Sequence, residues 1–202
     1  LDMGKAYAVT GKPGCGKTNL LFKIKGVKSN GVSGKGHIYY PLVNGKEPKI
    51  VMISQQDYFP INFSLQRIIS YPDEIPSDPI LNSKQKNEMQ LLLEEIGLWE
   101  TDSTDGKNEK EDNKELNLDS VKNWSNVLSG GEKRKVTIVS AIMKKPDILV
   151  LDETFDSLGP SLIATQQMLK RYLPNALILV VDHHAQTNNY NHFYDKELSF
   201  AD

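Results

Sequence analysis

Near the start of the chain, Gly11-Lys12-Pro13-Gly14-Cys15-Gly16-Lys17-Thr18 fits the spacing G-x-x-x-x-G-K-[ST]. That is the spacing of a loop that cradles phosphate. Gly14 and Gly16 allow the backbone to curl until successive N–H groups point at one anion, and a helix starting at the end of the loop adds its positive dipole end. Lys17 supplies a point charge for β- and γ-phosphates, and the Thr18 hydroxyl can ligate Mg²⁺. A glycine-rich turn that matches by chance is the competing reading; a strand pattern before the loop and a helix pattern after it weigh against that. Cys15 reads as loop filler whose side chain does no chemistry.

A second set of residues complements the first. The aliphatic run 148–151 ends in Asp152-Glu153. A buried strand ending this way puts Asp152 at the carboxyl edge of a sheet, where it can hold Mg²⁺. Glu153 then points at an attacking water that it can orient or deprotonate. Alone, such an acid pair is an ordinary strand end; beside a phosphate loop it becomes half of a hydrolytic site. Leu128-Ser129-Gly130-Gly131-Glu132 contains the capping box Ser129-x-x-Glu132, opening a helix with Val136, Val139, Ile142 and Met143 on its apolar stripe. The bland reading is a well-capped helix. With two glycines, however, its N-terminus also presents uncluttered N–H donors, a second phosphate site. One chain with two such cradles needs them to face each other, or else a second copy must complete each site.

The elements that must position these residues follow from the aliphatic pattern. Residues 6–10 read as a short buried strand, 49–54 contain the apolar run "IVMI", and 148–151 and 177–181 are unbroken aliphatic runs of strand length, which suits a parallel sheet covered on both faces. A helix is expected over 18–24. Residues 72–80 read as a proline-rich loop, 83–96 as a helix, and 101–118 as a charged surface loop with almost nothing to bury. The fold class is therefore α/β, with a mostly helical insertion between the two halves of the core.

Composition narrows the function. The 202 residues carry 24 Lys and Arg against 26 Asp and Glu, a net charge of −2, without the basic excess of a general nucleic-acid binder. Cys15 is the only cysteine, so no internal disulfide can form. No run approaches the roughly 18 to 20 apolar residues of a membrane span. The chain opens at Leu1, two residues before Met3, and enters the phosphate loop almost at once, so it is expected to be a piece of a longer protein.

In this order, "GKPGCGKT", "LSGGE", "ILVLDE" and a histidine after the next strand resemble an ABC transporter nucleotide-binding domain, over nearly the whole chain. The resemblance implies a P-loop NTPase with a RecA-like, mostly parallel core at 1–56 and 145–202 and a helical signature subdomain at 57–144. It implies ATP and Mg²⁺ as ligands. ATP would lie in a head-to-tail homodimer, between Gly11, Lys12, Pro13, Gly14, Cys15, Gly16, Lys17, Thr18 and Asn19 of one subunit and Ser129, Gly130, Gly131 and Glu132 of the other. By position, Gln55 in "ISQQDYF" matches the glutamine that contacts Mg²⁺ and the attacking water and couples to the membrane domain. His183 in "VVDHH" matches the switch histidine, His184 being the neighbour to confuse with it; His192 is assigned no chemistry. Glu153, His183 and Gln55 thus carry the implied hydrolysis, and Thr18, Gln55 and Asp152 the metal.

More narrowly, "QQDYFPINFSLQRIISYP" and "NWSNVLSGGE" resemble the subgroup of peroxisomal fatty-acyl transporters and bacterial relatives for vitamins or peptides, in which a membrane domain precedes this domain on the same chain. That implies a site at the cytoplasmic face of a membrane and no nucleic-acid partner. The alternatives are a soluble ABC ATPase of translation-factor type and a nucleotide-sensing module with little turnover. The chain departs from the family pattern in several places. Gly159 replaces an aspartate expected to act across the dimer interface. Arg134-Lys135 stands where Gln-Arg is usual, and Asn19 where a small hydroxyl residue is common. Tyr7 lies inside the strand before the loop and reads as core rather than as an adenine platform, so weak base recognition is expected.

Overall fold

The computed structural model describes residues 1–26, 37–98, 117–182 and 193–200. Its central feature is a five-stranded parallel sheet of β1 (Ala6–Thr10), β2 (Ile50–Ile53), β5 (Ile148–Asp152), β6 (Leu177–Val181) and β7 (Lys196–Ser199). The strand order is β2-β5-β6-β1-β7, and Ile148 is in register with both Ile50 and Leu177. Every residue of β1, β5 and β6 is buried, which is why these strands read as unbroken aliphatic runs instead of alternating ones. On one face, Tyr7, Val9, Ile148, Val150, Leu177, Leu179 and Val181 pack with Leu21 and Ile24 of α1 (Lys17–Lys25). Each such burial stabilises by roughly 1.5–3 kcal/mol. The intervening strand residues, among them Ala8, Leu149, Leu151 and Val180, form the opposite face. Tyr7 is 2% exposed and its hydroxyl donates to Asp2, so it belongs to the core.

Contacts divide the chain into two units, 1–57 with 144–202, and 58–143. The second unit contains the two-stranded antiparallel sheet of β3 (Phe63–Ser64) and β4 (Val121–Lys122), and the helices α2 (Leu65–Ser70), α3 (Pro79–Glu95), α4 (Trp124–Val127) and α5 (Gly130–Met143). Leu65, Ile69, Met89, Leu93, Trp124 and Val139 are its buried centre. Trp124 buries its ring by donating Nε1–H to Phe63 O at 3.1 Å, which satisfies the indole that burial would otherwise strand.

The structure corrects several expectations. Helix α3 starts at Pro79, not at 83, because the Asp78 carboxylate accepts from Ile80 and Leu81 N–H and proline fits the first helical position. Of the charged tract 101–118, residues up to 116 lie outside the described set, but Leu118 is buried and its carbonyl accepts Gln66 N–H at 2.9 Å. Strand β7 and the β3–β4 pair are additions; β7 reads "KELS" and carries no apolar pattern. Among the described residues, no helix is long and apolar enough to cross a membrane.

Candidate functional site

The loop between β1 and α1 is shaped by backbone conformations that only glycine takes cheaply. Gly16, at the start of α1, has φ 99°. Gly11 has φ 142°, and a Cβ there would come within 2.9 Å of Phe200 Cβ and 3.0 Å of Cys15 Sγ. The space beside Gly14 and Gly16 is open, with nothing within 4 Å of either would-be Cβ. Lys17 is only 5% exposed. Its ammonium donates to Gly11 O at 2.8 Å and Lys12 O at 2.9 Å and lies 3.8 Å from Cys15 Sγ. A buried cation satisfied by the loop's own carbonyls is a strong electrostatic anchor for an anion in that open space. Lys12, Pro13 and Gly14 are exposed, while Cys15, Thr18 and Asn19 are half-buried. Cys15 packs under Gly11, in keeping with a filler.

Asp152, the last residue of β5, is 3% exposed. Thr18 Oγ1 donates to its Oδ1 at 3.4 Å across 134 positions of sequence. Two hard oxygens so placed fit Mg²⁺, which takes one or two protein ligands and fills its octahedron with water and phosphate oxygens. Among the described residues no cluster of three or more His, Cys, Asp or Glu gathers as a dedicated metal cage. Next to it, Glu153 adopts φ 49°, and its N–H donates to Val181 O at 3.2 Å. A non-glycine residue in the left-handed region costs of order 1–3 kcal/mol and persists only when its surroundings impose it. Gln55 Nε2 donates to Glu153 Oε2 at 2.6 Å. The structure thus gathers Gly11, Gly14, Gly16, Lys17, Thr18, Gln55, Asp152 and Glu153 in the α/β unit. His183, with His184 and His192, lies outside the described residues.

Ser129, Gly130, Gly131 and Glu132 belong to the helical unit. The capping box forms in both directions: Ser129 N–H donates to Glu132 Oε2 at 2.6 Å and Glu132 N–H to Ser129 Oγ at 3.3 Å. Ser129 and Gly130 are exposed, and a Cβ on Gly130 would meet nothing within 4 Å. Val136, Val139 and Ile142 are buried as the stripe predicts. At the departures from the family pattern, Gly159 is exposed with φ 49°, Arg134 is buried, and Lys135 donates to Gly97 O at 3.1 Å, capping the end of α3. Sequence reasoning missed the unusual backbone at Glu153, the Asp182–Tyr194 hydrogen bond at 2.6 Å and the Thr10–Glu197 hydrogen bond at 2.5 Å. Each depends on chain segments brought together only by the sheet, and no local motif announces them.

Comparison with known proteins places the chain in a family. A family model described as "ABC transporter" matches residues 1–156. An uncharacterized ABC transporter ATP-binding protein of Haemophilus influenzae is 27% identical over 200 residues, covering 98% of this chain and 28% of that protein. ATP-binding cassette sub-family D member 1 of Drosophila melanogaster is 28% identical over 153 residues, covering 76% of this chain and 19% of its own length. The chain therefore spans about a quarter of these curated relatives. A putative ABC transporter ATP-binding protein from Pyrococcus furiosus shares the fold with a TM-score of 0.65 at 19% identity, covering 98% of this chain and 86% of that one.

Proposed function

The chain belongs to the ABC transporter family, and on that premise we propose that it is the ATP-binding and ATP-hydrolysing domain of a membrane transporter. The observation that carries this reading is Lys17, buried to 5% exposure with its ammonium on the carbonyls of Gly11 and Lys12. Few functions other than holding phosphate explain a lysine buried in a glycine loop one residue from a threonine that reaches a buried aspartate. Lys17 and the loop N–H groups bind the phosphate tail, and Thr18 and Asp152, with Gln55 nearby, hold Mg²⁺. When bound, Mg²⁺ supplies positive charge to the β- and γ-phosphate oxygens. Glu153 takes the proton of the attacking water as general base, Gln55, hydrogen-bonded to that carboxylate, orients the same water, and His183 steadies the γ-phosphate region. Positioning and charge neutralisation supply most of the rate.

In this reading, 1–56 with 145–202 is the ATP-binding core and 57–144 the signature subdomain. Ser129, Gly130, Gly131 and Glu132 of a second copy close over the nucleotide, giving a head-to-tail homodimer with two sandwiched ATP molecules. A transmembrane domain on the same native chain, with this domain on the cytoplasmic face, accounts for relatives several times longer than this chain. Loss of the shared γ-phosphate opens the dimer, and the segment around Gln55 passes that motion on. Gly159, where the family has an aspartate, favours a second reading: a nucleotide sensor that dimerises with little turnover.

The test is the solution mass of Glu153→Gln by light scattering, with and without Mg-ATP. A mass that doubles only with Mg-ATP, and stays single when Ser129→Arg is added, is expected. A variant that binds ATP yet stays monomeric at all concentrations would overturn the two-copy sandwich. Turnover of the unsubstituted protein separates the hydrolase from the sensor.

A further inference from the structure

Glu153 is flanked by two segments whose side chains converge on one dipeptide just before β7. Its N–H donates to Val181 O at 3.2 Å, and its φ of 49° has to be imposed from outside. Two residues after Glu153, Phe155 is buried to 4% exposure and packs edge-on against Phe193, with ring centroids 5.6 Å apart and planes at 74°. One residue after Val181, Asp182 Oδ2 accepts the Tyr194 hydroxyl at 2.6 Å. Phe193 and Tyr194 also pack edge-to-face on each other at 5.1 Å. The Lys170 ammonium of α6 (Leu162–Tyr172) stands 5.3 Å over the Phe193 ring.

This dipeptide is itself fixed to the sheet. Asp195 N–H donates to Ala6 O at 2.7 Å, and its carboxylate accepts Ala6 N–H at 2.9 Å and the Lys5 ammonium at 3.1 Å. Ala6 begins β1, whereas Asp182 N–H donates to Val9 O near the end of β1. The Tyr194 side chain therefore runs along the strands, from their starting edge to the edge that carries the site. Burial first, and then the carboxylates of Asp182 and Asp156, push the Tyr194 phenol far above its ordinary range. The hydroxyl therefore stays protonated, a donor, at any pH the protein meets.

We propose that Phe193 and Tyr194 are positioning residues for hydrolysis, a brace that holds Glu153 in its left-handed backbone conformation through Phe155 on one side and Asp182 on the other. The inference rests on reading Glu153 as the residue that prepares water. It needs no contact between the brace and the nucleotide. Ordinary core residues would fill space. These two instead tie the chain on both sides of one catalytic carboxylate to the start of the sheet.

Tyr194→Phe removes one oxygen and keeps the ring, so it tests the brace with little risk to folding. The expected result is a kcat for Mg-ATP hydrolysis lower by about tenfold, since small misplacements of a catalytic group cost rates of this order. KM for ATP should stay at its original value, while the thermal midpoint falls only slightly for the lost hydrogen bond. Amide deuterium exchange should quicken in the peptide 152–158 and stay unchanged in 65–70. Asp182→Ala combined with Tyr194→Phe should be no slower than the slower single variant, as residues acting through one hydrogen bond are not additive. An original kcat in Tyr194→Phe, a loss in KM or thermal midpoint in place of kcat, or unaltered exchange in 152–158 would each overturn the brace. Glu153→Gln run alongside separates the two layers. If it keeps full turnover, the reading of Glu153 fails and the brace fails with it. If it is inactive while Tyr194→Phe is fully active, only the brace fails.

Discussion

The two units of this chain organise their functional residues in opposite ways. In the α/β unit, the residues that matter sit where strands and helix α1 meet loops at the edge of a buried sheet, and several of their partners are remote in sequence. Thr18 reaches Asp152 over 134 positions and Gln55 reaches Glu153 over 98. In the helical unit, Ser129 and Glu132 satisfy each other over three positions, and Ser64 and Asp78 cap their helices locally. A carboxylate held by remote segments can be kept in a costly conformation because the whole sheet opposes its relaxation. A helix terminus organised by its own capping box needs no such support, and it presents its N–H groups wherever the helix lies.

The largest effect that would sharpen this contrast is on turnover. Glu153→Gln should lower ATP hydrolysis about 10³-fold, within the range for removing a general base, while nucleotide affinity is retained; steady-state kinetics and equilibrium binding measure the two separately. Lys17→Ala comes next. Loss of a charge-assisted contact of about 1.5–3 kcal/mol should weaken ATP binding roughly 10- to 100-fold in calorimetry. Unchanged affinity would break the assignment of the phosphate loop.

Ser129→Ala should cost about 1 kcal/mol as a lost N-cap. The loss should appear as faster amide exchange in α5 and not in β1 or β5. Equal loosening of both units would show that the capping box is less local than its geometry implies. The smallest effect concerns Asp195, whose carboxyl is held below its ordinary range by the Ala6 N–H first and by Lys5. A lowered folded value stabilises above the unfolded value, about 3.9, and that contribution is lost as pH falls through the folded value. The urea-midpoint difference between the unsubstituted protein and Asp195→Asn should therefore be widest near neutrality and close on acidification. A difference that grows in acid would contradict the geometry.

What could be read in the sequence alone follows the same division. The phosphate loop, the capping box and the aliphatic strands are local patterns, because glycine's backbone freedom, a side chain's reach to N–H groups three residues on, and burial on both faces of a strand all leave marks within a few residues. Those marks determined the α/β class and the family. The start of α3 lies before the apolar spacing because the Asp78 cap and Pro79, both local signals, open the helix earlier. The tertiary structure alone decided the rest. The exposed strand "KELS" joins the sheet because β1 offers a free edge. Leu118 ends a charged tract yet is buried. Glu153 takes φ 49° and meets Gln55 because β2, β5 and β6 end side by side. Contacts between segments a hundred residues apart leave no periodicity in either segment, and only the folded sheet brings them within a hydrogen bond.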